Sequence, residues 1–175
     1  MKKILGIIVG VLWASTASIA QDSNSEVNAQ PNAEIKQFQD WNVQCVLNAD
    51  GLTRNCALFH QVNLDSGQRF MVMQVSNRLA ADITADPEFV TIITTPLGVH
   101  LPSGVRVQVD SGTPLDLIYE RCDQQGCYAG INMNEGFTTS LIKGNTAKVS
   151  FNDLSGKTLT TSIPLRGFTA GFSSI

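Results

Sequence analysis

The sequence predicts an all-β fold, an immunoglobulin-like antiparallel β-sandwich with two intra-hairpin disulfides. Short apolar or alternating runs recur at roughly 8 to 12-residue spacing. Gly and Pro turn signals separate them, and little of the chain has helical periodicity. The four cysteines fall in two pairs about turns, Cys45 with Cys56 and Cys122 with Cys127.

The chain of 175 residues opens on Lys2 and Lys3, an apolar run from Ile4 to Trp13, and small residues with Ser18 and Ala20 at minus three and minus one. That pattern predicts a signal peptide over 1–20, too short for a spanning helix, which needs about 20 apolar residues. No integral membrane segment is expected in the mature chain. Residues 21–37 are polar and aperiodic, which predicts a flexible lead-in. One sandwich domain is expected over 38–175.

Trp41, Val43 and Cys45 alternate with Asp40, Asn42 and Gln44, and Leu58, His60 and Val62 return along the same face. A register joining Cys45 to Cys56 sets Val43 opposite Leu58 and Trp41 opposite His60. Arg69 to Ser76 is apolar on both parities and reads as a central strand covered on both faces. Asn77 to Asp86 is ambiguous, whereas Phe89 to Thr95 is β-branched and ends at a proline, as strands do. Two turn signals flank Val99, His100 and Leu101, after which Val105, Val107 and Val109 alternate with polar residues.

Leu115, Leu117 and Tyr119 open the hairpin whose loop Cys122 and Cys127 bracket, with Gly126 able to take a positive φ. Asn134 to Gly144 has an asparagine cap and a glycine stop but interior residues that weaken a helix. Ala147, Val149 and Phe151 form a strand, with Leu159 and Ile163 on its return. Arg166 to Ile175 reads as a last edge strand or a tail docked by Phe168 and Phe172. A small outer-membrane barrel is the rival architecture, disfavoured by the bridged hairpins and the scarcity of aromatics for interfacial girdles.

Four cysteines allow three pairings, and the two local ones are favoured because each is symmetric about a turn. Bridges call for an oxidising compartment, so the chain is expected to be exported: periplasmic, outer-membrane-associated or secreted. Gaps of ten and four residues within the pairs do not match the two-residue gaps of structural zinc sites. A formal charge of minus 3, more negative once Lys2 and Lys3 are removed, argues against nucleic acid.

Chemistry is sparse. His60 and His100 are the only histidines; the first reads as a ring packed beside Trp41 and the second as a loop residue. No nucleophile elbow, zinc-protease, P-loop or dinucleotide motif occurs. Asp116 and Glu120 share a strand face but read as surface charges, and Asn48 to Gly51 has only a fragment of a calcium loop. No catalytic, cofactor-binding or metal residues are expected, and no cofactor. Contact with a protein partner is left, through strand edges, the loop Thr95 to Gly104, or a surface including His100, Phe168 and Phe172.

Several features together resemble the invasion-associated locus B family. They are the early W-x-x-x-C from Trp41 to Cys45, CALFHQ, PLGVHLPSGVRVQVDSG, CDQQGCYAG and the closing RGFTAGF, spanning Asp40 to Phe172. The resemblance implies a small exported disulfide-bearing β-sandwich of Gram-negative bacteria, a non-enzymatic virulence factor associated with host-cell invasion. An envelope-maintenance or chaperone-like binding role is the alternative. The resemblance brings no catalytic residues, and only the four cysteines map onto a pattern with a role.

Overall fold

The computed structural model describes residues 33–47, 54–78 and 88–175. The predicted signal peptide, the residues of the lead-in before Ala33, the calcium-loop fragment and most of the ambiguous segment at 77–86 lie outside them. Among the described residues ten strands form in the order β1 (Ala33–Phe38), β2 (Trp41–Leu47), β3 (Arg54–Asn63), β4 (Arg69–Arg78), β5 (Glu88–Thr95), β6 (Val105–Val109), β7 (Leu115–Asp123), β8 (Gly126–Asn132), β9 (Thr146–Asn152) and β10 (Thr158–Pro164). Helix α1 (Glu135–Lys143) joins β8 to β9, and α2 (Phe168–Phe172) follows β10.

All pairings between strands are antiparallel, in the spatial order β1-β2-β3-β4-β5-β8-β7-β6-β9-β10. Strand β7 is where this ribbon folds over. Its first residues, Leu115 to Leu117, pair with β6, and Ile118 to Asp123 pair with β8. One strand therefore belongs to both layers of an antiparallel sandwich.

The core lies between the layers. Trp41, Val43, Leu58, Met73, Val75 and Ile93 project from one side, and Val105, Val107, Leu117, Val149, Phe151 and Ile163 from the other, all buried. At one end the layers meet through Phe70 and Phe151, ring centroids 5.6 Å apart. Phe70 reaches inward because the β3–β4 ladder jumps from Val62↔Met71 to Asn63↔Arg69, a bulge that leaves Phe70 without an opposite residue and re-aims it. Elsewhere the layers close through a corner. Trp41 Nε1 donates to the Pro164 carbonyl at 2.9 Å, and the Arg166 guanidinium clasps the Asp40 carboxylate at 2.8 and 3.1 Å.

Both disulfides have the predicted partners, Cys45–Cys56 and Cys122–Cys127. Val43 lies opposite Leu58 as expected. Three expectations need correction. The predicted lead-in over 21–37 ends inside β1, whose exposed Glu34 and Lys36 give an edge strand no apolar face to read. Strand β4 is interior to the sheet but only one face is fully covered, since Val72 and Gln74 are half-buried. Of the two readings of the C-terminal segment the edge strand fails and the docked tail holds: it is a short helix with Phe168 as its buried anchor.

Candidate functional site

Four connections meet at the end of the sandwich marked by Cys122–Cys127. They are the β3–β4 turn, the loop from Thr95 to Gly104 with its 3-10 turn at Leu101–Ser103, the β7–β8 tip and the β9–β10 turn. Hydrogen bonds lock them together. Arg69 Nη2 donates to the Gln125 carbonyl at 2.8 Å, joining β4 to the hairpin tip. Leu154 N donates to Gly98 O at 3.2 Å and His100 N to Asn152 O at 2.9 Å, joining the long loop to the β9–β10 turn, with Val99 bridged to Asp153.

The tip itself is tighter than the cysteine spacing suggests. Asp123 pairs with Gly126, so the loop is reduced to Gln124 and Gln125. Gly126 has φ 143°, and any side chain there would run into the Thr95 carbonyl of β5. A second bulge, between Tyr119 and Arg121, leaves Glu120 unpaired and turns the cation outward. Arg121 then lies over the Tyr128 ring at 4.0 Å and bonds Asp123 at 2.7 Å.

The Gln125 backbone N–H is the main cause holding the Asp123 carboxyl below the usual range, with Arg121 and Tyr128 adding to it. Burial, followed by the Asp123 charge, pushes the Tyr128 hydroxyl up. On the neighbouring turn the Ser155 hydroxyl is the first cause lowering Asp153.

The assembled end has an open cleft of about 660 Å³ lined by the amides of Gln61, Gln68, Gln124 and Gln125, with Arg69, Phe70 and Leu97. Leu97 is 58% exposed and Leu154 is 74% exposed, with Leu64 and Leu101 also solvent-facing on the adjoining turns. Amides offer both donors and acceptors without charge, and leucines on braced loops offer apolar anchors. That combination suits contact with another polypeptide.

His100 belongs to this end and is exposed. Its Nδ1 lies 2.6 Å from Ser103 Oγ, which also accepts from Asn152 Nδ2 at 3.2 Å. A hydroxyl beside an imidazole is the start of a nucleophilic dyad. Among the described residues nothing hydrogen-bonds the other ring nitrogen; the contact ties His100 to Ser103 within the loop, and Asn152 ties Ser103 to β9.

His60 sits elsewhere. Its Nδ1 faces the Asp40 carbonyl at 2.6 Å, which makes that nitrogen the donor, and its ring lies 5.7 Å from Trp41. Phe168 leaves the predicted contact surface altogether: it is 0% exposed and packs edge-on against Trp41 at 5.0 Å. Phe172 is partly buried between Phe168 and Phe89. The structure thus separates His100 from the two phenylalanines grouped with it in the sequence.

Asp116 has its partner across the strand pair, Arg106 at 2.7 Å, and that guanidinium lowers its carboxyl from the usual range. Among the described residues no three His, Cys, Asp or Glu side chains converge as a metal site would require. The glutamine lining and the exposed leucines escaped the sequence reading, because only the folded turns bring residues 61, 68, 97 and 124 together. The one signal was the apolar residues within the turn-rich stretch after Thr95.

Fold and geometry define a disulfide-stapled antiparallel β-sandwich with a braced loop end. The family profile described as invasion associated locus B (IalB) protein matches residues 41–175, and the chain belongs to that family. Among solved structures it is similar to the invasion associated protein B of Bartonella henselae, with a TM-score of 0.68 and 21% identity, over 81% of this chain and 93% of that one. At that identity the likeness shows the fold alone. No curated protein matches the chain.

Proposed function

We propose that this chain is an exported, non-enzymatic protein that supports host-cell invasion by touching another protein through its loop end. Family membership over residues 41–175 is the observation that carries the reading. The disulfides support export, because such bridges persist in oxidising compartments. Among the described residues no helix is long and apolar enough to cross a membrane. The amide-rich cleft, whose single cation Arg69 is tied to Gln125, and the exposed Leu97 and Leu154 support recognition of a polypeptide.

A strain lacking the gene, scored for both host-cell invasion and detergent sensitivity, tests the reading. The expected result is lost invasion with an intact envelope, restored by the wild-type chain and not by a Leu97→Asp, Leu154→Asp double variant that still folds. A leaky envelope with unchanged invasion would overturn it in favour of envelope maintenance.

A further inference from the structure

The two outer strands of the ribbon are not alike. Strand β1 is guarded in the way sheet edges usually are: Glu34 and Lys36 form an ion pair on it and Arg54 reaches Glu34 from β3. Strand β10, Thr-Leu-Thr-Thr-Ser-Ile-Pro, has no charge at all.

The direction of its backbone groups follows from its pairing with β9. Asp153 N donates to Lys157 O and Leu165 N to Asn145 O, in register with Thr158↔Asn152 and Pro164↔Thr146. In an antiparallel ladder the hydrogen-bonded pairs alternate, so the odd-numbered residues of β10 bond β9 and the even-numbered ones point away from it. The far end of that outward row is already occupied, since Pro164 O accepts from Trp41 Nε1 and Arg166 O from Asp40 N. Among the described residues nothing pairs with the outward N–H and C=O groups of Thr158, Thr160 and Ser162. All three residues are exposed.

We propose that this free segment of β10 pairs antiparallel with β10 of a second copy of the chain, about a two-fold axis through Thr160. Alternating donors and acceptors at strand spacing match another extended backbone, and this edge is complementary to itself. Thr160 faces Thr160 of the copy and Thr158 faces Ser162, so the residues that exchange backbone hydrogen bonds all bear hydroxyls, while Leu159 faces Thr161. Lys157 falls opposite Ile163 of the copy, and Arg166 is held by Asp40, so no like charges meet. An isologous contact of this kind closes at two copies and leaves no edge for further growth along β10. It is a short ladder, so the dimer forms with concentration and is not permanent. The inference does not depend on which partner the loop end touches.

The test is sedimentation of the mature chain over a concentration series, with amide hydrogen exchange read at Thr158, Thr160 and Ser162. Wild type is expected to shift from monomer to dimer while those three amides gain protection. Thr160→Pro removes an outward N–H and, like Thr160→Val, the exposed hydroxyl contact with Ser150, but leaves the β9 backbone ladder whole, so it should stay monomeric with a melting temperature close to that of Thr160→Val. Thr160→Val should dimerise like wild type. A wild-type chain that remains monomeric, a proline variant that dimerises equally well, or protection already complete in the monomer would each overturn the proposal. The last outcome would mean that another part of the same chain occupies the edge.

Discussion

At Gly167 the backbone runs at φ 89°, with the Phe38 carbonyl packed where a side chain would begin. Gly67 has a similar φ of 81° but open space around it. The pair separates backbone strain from steric clash. Gly67→Ala is expected to cost about 1 kcal/mol and Gly167→Ala about 2 to 4 kcal/mol, read as shifts in denaturant midpoint. Asp123 offers a second test at this scale. Its folded pKa lies below the unfolded one, so its stabilising contribution is full above about pH 4 and is lost as pH falls through the folded value. Because the Gln125 N–H is the first cause, the carboxyl titration followed by NMR should remain depressed in Arg121→Ala. Some residue roles were legible in sequence: alternation correctly put Val43, Val105, Val107 and Val149 inside, and His60 beside Trp41. Arg121 was not, because period-two counting places it on the Tyr119 face, and only the bulge at Glu120 turns it to solvent.

Among the elements, the two bridges close loops at opposite ends of the layer containing β2, β3, β7 and β8. Replacing either cysteine pair with alanine is expected to lower stability by about 2 to 3 kcal/mol, measured by denaturant unfolding. The sites of loosening should differ. Without Cys45–Cys56, exchange should rise in β1 and β2. Without Cys122–Cys127, it should rise at Gln124, Gln125 and the Arg69 contact. Helix α1 was readable from its ends: the Asn134 side chain accepts from Phe137 N at 2.8 Å, and Gly144 closes the last turn. Strand β1 was not readable, since an edge strand wet on both faces has no hydrophobic alternation. Helix α2 was hidden by its glycine. Phe168 and Phe172 are four apart, a helical spacing, but Gly171 between them reads as a breaker until its contact with Leu58 explains the need for no side chain.

For the molecule as a whole, fold class and local hairpins were legible because neighbouring runs of the chain encode them. The order β5-β8-β7-β6-β9 was not, since it depends on which distant faces complete one another, and the loop-end cleft inherits that dependence. Unfolding is expected to be a single transition, with Trp41 fluorescence and far-ultraviolet circular dichroism tracing the same curve; two separated curves would contradict it. The reason is the dual membership of β7. A protein whose layers are joined only by loops can shed one and keep the other. Here tearing β6 from β7 exposes the strand that β8 depends on, so damage on either side propagates through a common spine. A protease searching for a half-opened form would find no stable remnant to trim, and resistance to digestion should vanish abruptly with temperature.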